Sequence, residues 1–211
     1  MVWFWSVCIA VLAYLLGSLS FAVIVCRAMG LDDPRTYGSG NPGATNVLRS
    51  GNRRAALATL ALDELKGYVA VVLAIVAQPA FGYGAGTVAL AGLAAFVGHL
   101  WPVFFRFAGG KGVATAAGVL LGLNPLLGAA ALITWLAVAV LTRYSSLAAL
   151  VTAVAAPVYQ ALFFGNGPTT AAVAAMGALL IWRHAGNIRK LRAGTESRIG
   201  QKAAAPAAEK R

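Results

Sequence analysis

Acid is what this chain has least of. Six Asp and Glu residues serve 211 positions, and all charged residues together make up 11%. Soluble globular proteins carry about a quarter. Hydrophobic residues reach 60%, and the mean hydropathy is +0.77. A soluble domain of this size leaves too much surface wet to hide so much apolar material, which excludes a water-soluble enzyme. A disordered chain needs the opposite composition and is excluded too. Paired carboxylates for glycoside or metal-assisted chemistry are missing. With two histidines and no Cys pair there is no metal site to propose. Cys8 and Cys26 share one apolar run, and on a single helix 18 residues put them about 27 Å apart. A disulfide needs Cα atoms within about 7 Å, so both are read as small hydrophobes. A basic region before the first apolar run is also lacking, and that run is too long for a signal peptide. It reads as a first transmembrane helix, with Trp3, Phe4 and Trp5 as its interfacial anchor.

What the chain does have is long stretches without Asp, Glu, Lys or Arg: 1–26, 67–105, 112–142 and 144–182. About 20 residues cross the hydrocarbon. The first stretch holds one span. The last holds two, divided at Gly165-Asn-Gly-Pro168, with Pro157 expected to kink the earlier one. Asn124-Pro125 divides 112–142 into short spans over 113–123 and 126–142. The stretch 67–105 breaks at Gln78-Pro79, so the span before it must reach back to about Ala55, carrying Asp63, Glu64 and Lys66 into or near the membrane. The expectation is an all-α integral membrane protein of seven transmembrane helices, some short. Residues 1–196 would form a single catalytic domain, and 197–211 a flexible basic tail.

The net charge is +11. Such an excess fits nucleic acid, anionic lipid or an anionic substrate, or simply positive residues held on one side of a membrane. Position decides. With seven spans, and Lys66 credited to its nearer end, all 17 Lys and Arg fall on one side. That side is therefore read as cytoplasmic, with the N-terminus outside and the C-terminus inside. The outer loops are short and uncharged, so function is expected at the cytoplasmic face.

Three constellations lie there. The first is Tyr37-Gly-Ser39-Gly40-Asn41-Pro-Gly-Ala-Thr45-Asn46-Val-Leu-Arg49. Its glycines permit close backbone approach, its short polar residues can line an anion nest, and Arg49 adds a phosphate-matching fork. The same residues also suit an ordinary turn before a helix, with Thr45 or Asn46 as cap. The second is Phe107-Ala-Gly109-Gly110-Lys111-Gly112-Val-Ala-Thr115, where glycines open a helix whose N-terminus attracts anions. It is not a Walker A loop, because Phe105 stands where the first Gly belongs and Gly112 follows Lys111. A tight positive-inside turn is the alternative. The third is His184-Ala-Gly-Asn187-Ile-Arg189-Lys190-Leu-Arg192-Ala-Gly-Thr195-Glu196. His184 and Asn187 share a face if the helix continues. Arg189, Lys190 and Arg192 suit lipid headgroups. Outside these, Asp63 and Lys66 can pair, and His99 lies near the end of the third span. Ser145 and Ser146 suit the next helix as caps, or a phosphate as donors. No Gly-x-Ser-x-Gly elbow supports a covalent serine mechanism.

Ser39-Gly-Asn-Pro-Gly-Ala-Thr-Asn-Val-Leu-Arg49, Gly109-Gly-Lys-Gly-Val-Ala-Thr115 and His184-x-x-Asn-Ile-x-x-Leu-x-x-Gly-Thr-Glu196 resemble, in order, the three cytoplasmic motifs of the bacterial acyl-phosphate-dependent glycerol-3-phosphate acyltransferases. The resemblance covers about residues 1–196. Lys190 departs from it, standing where the family has Arg. The His-x-x-x-x-Asp motif of other glycerol-phosphate acyltransferases is lacking, since Phe104 and Arg189 follow the two histidines at that spacing.

The resemblance implies transfer of an acyl chain from acyl phosphate to the 1-hydroxyl of sn-glycerol 3-phosphate. The products would be lysophosphatidic acid and inorganic phosphate, within phospholipid biosynthesis, in a multi-pass protein of the bacterial cytoplasmic (inner) membrane. Its partners would be these two substrates and membrane lipid, with no nucleic acid, cofactor or metal. Lys111, Arg49, His184 and Asn187 are the candidate catalytic residues. Ser39, Gly40, Asn41, Thr45, Asn46, Gly109, Gly110, Gly112, Thr115 and Ser145 are the candidate substrate- and phosphate-binding residues. An organic-phosphate transporter is the alternative, and the one-sided placement of the motifs speaks against it.

Overall fold

The structure, a computed structural model, describes residues 1–200. Among them are ten α-helices, one single-turn 3-10 helix and no strand. The chain runs α1 (Val2–Gly17), α2 (Phe21–Ala28), α3 (Ala44–Leu48), α4 (Arg53–Phe81), α5 (Ala85–Leu100), the 3-10 turn (Val103–Phe105), α6 (Val113–Leu123), α7 (Pro125–Thr142), α8 (Ser145–Phe163), α9 (Pro168–Arg183) and α10 (Ala185–Arg192). Ala85–Phe105, α7 and α8 are each long and apolar enough to cross a membrane. The α1–α2 pair makes a fourth if its 40° bend is taken as one broken span.

The breaks at 124–125 and 165–168 fall where turn chemistry placed them. Asn124 caps α7, its side chain accepting from Leu126 N at 2.9 Å, and Pro125 occupies the first turn, where its missing N–H costs nothing. Asn52 starts α4 in the same way, accepting from Ala55 N at 3.0 Å.

Two expectations are corrected. The first apolar run is two helices, not one. Its break frees the Leu19 carbonyl, which accepts from Lys66 Nζ at 2.6 Å. Lys66 is 2% exposed and needs acceptors there, and an unbroken helix would have kept that carbonyl for itself. Nor does α4 stop at Gln78-Pro79. Pro79 lies in the last turn, where it removes one backbone bond. The helix ends at Gly82, whose left-handed φ of 69° lets its N–H reach the Gln78 carbonyl at 2.9 Å.

Glycines set the helix spacing. A Cβ on Gly118 would run into the α4 backbone at Glu64, and one on Gly67 into α6 at Thr115. Gly17 and Gly98 bring α1 and α5 together in the same way, and Gly177 brings α9 onto α8 at Ala153. Close backbone approach through small residues is how helices associate where lipid removes the hydrophobic drive. Phe96, Leu100, Val71 and Val119 fill the centre with no exposure.

The packing gathers residues 33–52, 101–112, 143–146 and 184–200 at one end of the bundle. Most of the expected tail lies outside the described residues. Residues 197–200 are described, and Ile199 N donates to the Arg143 carbonyl at 2.7 Å.

Candidate active site

The loop before α3 is built around Asn46. Its Oδ1 accepts from Ser39 N at 2.9 Å, and its Nδ2 donates to the carbonyls of Pro34 (2.6 Å) and Tyr37 (3.2 Å). Asn46 is 2% exposed, so it shapes the loop from within. The capping expectation is overturned here, because Gly43 is the N-cap of α3 and no side chain caps it. Thr45 faces outward. The resulting turn presents Ser39 and Gly40 exposed and Asn41 half-buried. At its entry, Asp33 binds the Arg35 guanidinium at 2.6 Å, which holds the Asp33 carboxyl below its usual range. Arg49, half-buried at the end of α3, donates to Ser197 Oγ.

The second loop is pressed onto the end of α5. Gly110 N donates to the His99 carbonyl at 3.2 Å. Arg183, at the end of α9, donates to the carbonyls of Gly109 (2.9 Å) and Gly110 (3.0 Å). A Cβ on Gly109 would lie 2.5 Å from the Leu100 carbonyl, and one on Gly110 would enter the His99 ring. Gly112 takes φ +83° against Phe96 and is the N-cap of α6, with no side chain capping it. The first amides of α6 therefore open beside Lys111.

Lys111 Nζ donates to Asn187 Oδ1 at 2.5 Å. Asn187 Nδ2 in turn donates to Glu196 Oε1 at 2.6 Å, and Ser146 Oγ donates to the same oxygen at 2.8 Å. Glu196 thereby fixes which end of the Asn187 amide faces Lys111. Burial lowers the Lys111 pKa to about 8. Glu196 opposes the shift, and Arg49, Lys190 and Arg183 reinforce it.

His184 joins α9 to α10 and is 2% exposed. Its Nδ1 lies 2.8 Å from the Leu180 carbonyl, which can only accept, so Nδ1 carries the proton and Nε2 has a free lone pair. Burial, ahead of the neighbouring Lys111 and Arg183, lowers its pKa to about 4, so the ring is neutral at pH 7.

The structure thus brings Arg49, Lys111, His184 and Asn187 to one end of the bundle, with Gly109, Gly110 and Gly112 forming the turn beside them. Thr115 does not join them. It is fully buried, and its hydroxyl donates to the Asp63 carbonyl at 3.0 Å, against α4. Ser145 opens α8, but Ser146 is the serine that reaches the cluster. Neither caps the helix, whose N-cap is Tyr144. Sequence reasoning overlooked Arg183; it read Ser146 as a cap or phosphate donor and gave Glu196, the end of the third motif, no role. The available signal was Glu196 itself, a lone acid among Arg189, Lys190, Arg192 and Arg198.

A cavity of about 270 Å³ lies between the first two loops, lined by Arg35, Gly40, Pro42, Phe107, Gly109 and Arg183. A second, of about 480 Å³, adjoins it at Arg35 and is lined by Val23, Arg27, Leu31, Asp33, Phe104 and Phe105. Among the described residues no group of three or more His, Cys, Asp or Glu is placed to hold a metal ion.

Glycine-turned amides, a lysine and arginines grouped at one end of an apolar helical bundle define a membrane-embedded protein that handles a phosphorylated substrate. The glycerol-3-phosphate acyltransferase family profile matches residues 7–194. Similar proteins of the same description include one from Paraburkholderia phytofirmans, 60% identical over 96% of this chain and 94% of its own. Another, from Ralstonia nicotianae, is 62% identical over 93% and 95%. Two crystal structures of the integral membrane glycerol 3-phosphate acyltransferase PlsY superpose on the fold. The glycerol 3-phosphate form has a TM-score of 0.85 and 36% identity over 92% of this chain and 96% of that one. The lysophosphatidic acid form has 0.83 and 35% over 92% and 95%. The chain belongs to the glycerol-3-phosphate acyltransferase family and is an acyltransferase.

Proposed function

We propose that this acyltransferase takes its acyl group from acyl phosphate and passes it to the 1-hydroxyl of sn-glycerol 3-phosphate, at the cytoplasmic face of a bacterial inner membrane. The products are lysophosphatidic acid and inorganic phosphate. Seven spans are proposed, with α1–α2 as one broken span and α4 to α9 as the other six. This topology keeps the basic residues on one side.

The carrying observation is the Lys111 cluster. Two phosphorylated substrates need two sets of cationic and amide donors in reach of each other. The first loop with the 109–112 turn supplies one set. Arg49 and the second Asn187 Nδ2 proton supply the other, with Lys111 between. His184 Nε2 can accept from a glycerol hydroxyl, and Ser146 and Glu196 hold Asn187 in place. Ser39, Gly40 and Asn41 are assigned to the acyl phosphate. Asn46 and Thr115 are assigned to holding the loop and α6 in place.

Acyl phosphate is a mixed anhydride with a good leaving group, so no protein nucleophile is required. The glycerol hydroxyl oxygen attacks the acyl carbon, the bond from that carbon to the phosphate oxygen breaks, and the phosphate leaves with the electron pair. Positioning and charge stabilisation of the oxyanion and departing phosphate carry the rate. The hydroxyl proton needs an acceptor. A phosphate monoester, with a second pKa of about 6, is a better base than His184 at about 4. The proton is therefore assigned to a substrate phosphate oxygen, and His184 to holding the acceptor substrate through Nε2.

The test is release of inorganic phosphate by purified protein in detergent, given acyl phosphate and glycerol 3-phosphate. Turnover without vesicles supports the reaction and excludes transport. Wild-type turnover by both Lys111→Ala and Arg49→Ala sinks the site assignment.

A further inference from the structure

The 109–112 turn has glycines at 109, 110 and 112, so little in its own chemistry keeps its peptide planes fixed. Neighbours do. Gly110 lies between the His99 ring on one side and the Pro42 carbonyl, 3.0 Å from where its Cβ would stand. On the other side is Arg183. Its Nε approaches the Gly110 carbonyl at 3.2 Å and one terminal nitrogen contacts the carbonyls of Gly109 and Gly110 at 2.9 and 3.0 Å. A basic residue in the last turn of a helix ordinarily faces solvent or its own helix's carbonyls. Arg183 instead reaches carbonyls 73 and 74 residues away in sequence.

In a planar trans peptide the C=O and N–H point in opposite directions. The peptide joining Gly109 to Gly110 is gripped at both ends, its carbonyl by Arg183 and its N–H by the His99 carbonyl. The next peptide has its carbonyl on Arg183, which turns the Lys111 N–H away from that residue. This amide adjoins the open first turn of α6.

We infer that Arg183 is a positioning residue for acyl transfer: its fork on the Gly109 and Gly110 carbonyls locks the peptide plane that aims the Lys111 amide and side chain at the substrate phosphate. His99 is the opposing jaw. Its own ring is set from below. The Thr115 hydroxyl gives its one proton to the Asp63 carbonyl, so at 3.1 Å it accepts from His99 Nδ1. The inference rests on the site assignment above, and the two are separated by different variants.

The experiment compares wild type with Arg183→Lys, which keeps charge and length but not the fork. Steady-state phosphate release, thermal unfolding in detergent and amide hydrogen exchange are measured on the same preparations. The expected result is kcat/KM lower by about 100-fold, the scale of a misplaced reacting group. Exchange should rise in 107–114, with unfolding temperature and exchange elsewhere unchanged. In Arg183→Ala, added guanidinium should restore part of kcat/KM and of loop protection together. Wild-type kcat/KM in Arg183→Lys overturns the inference. So does a loss confined to the KM for glycerol 3-phosphate with loop exchange unchanged, which makes Arg183 a substrate ligand. A general rise in exchange with a lower unfolding temperature overturns it as well. Lys111→Met at wild-type turnover sinks the site assignment instead, and the exchange comparison does not depend on it.

Discussion

The Lys111 ammonium sets an alkaline limit on activity that falls within reach of a simple pH profile. An unperturbed lysine titrates near 10.4. Here burial and the neighbouring Arg49, Lys190 and Arg183 bring Lys111 to about 8, against the pull of Glu196. The ammonium is charged below that pH and neutral above it, and only the charged form attracts phosphate. At pH 7.5 roughly three quarters of the free enzyme carries the charge, and at pH 9 roughly one tenth. The kcat/KM, which reports the free enzyme, should therefore bend near pH 8 and fall about tenfold per unit beyond. A bound phosphate favours the charged form, so the limb in kcat should lie at higher pH. Two variants fix the sign. Lys190→Gln removes a repelling charge, and the kcat/KM limb moves up. Glu196→Gln removes the attracting one, and it moves down. The assay is phosphate release at constant ionic strength between about pH 6 and 10. A profile flat to pH 10, or limbs that stay in place in both variants, refutes the reasoning.

Other expected outcomes follow from particular contacts. Gly110→Ala puts a methyl into the His99 ring and the Pro42 carbonyl, so kcat/KM should drop by about 100-fold or more in the phosphate-release assay. Gly118→Leu places its Cβ 2.9 Å from Tyr68 N on α4, and detergent thermal unfolding should show one of the larger losses of stability in the chain. Asp63→Asn leaves Lys66, paired at 2.8 Å, without its counter-ion, and removing one partner of a buried pair costs roughly 3–5 kcal/mol. Adding Lys66→Met should recover much of that in the same unfolding measurement. His184→Ala should raise the KM for glycerol 3-phosphate more than it lowers kcat. A turnover at saturation reduced about 100-fold or more would give His184 the base role instead.

Hydropathy and turn chemistry act over a few residues, and what depends on them was legible in the sequence. Helices over 113–123 and 126–142, the turn at 165–168 and the three polar loops all follow from the sequence, and α7 differs from its expected bounds by one residue. The family was legible too, because its motifs are contiguous. Long-range partners were not legible. The break between α1 and α2 frees the Leu19 carbonyl for Lys66, a partner 47 residues away. Asn46 turns inward because Pro34 and Tyr37 present carbonyls to it, so a residue read as a phosphate donor shapes the loop instead. Thr115 spends its hydroxyl on α4. Ser146 rather than Ser145 meets Glu196, 50 residues on. Sequence determined which segments are apolar and which can turn. Only the packed bundle decided which polar atoms are already satisfied and which remain open to a substrate, because a buried donor takes whatever acceptor the fold brings within 3 Å.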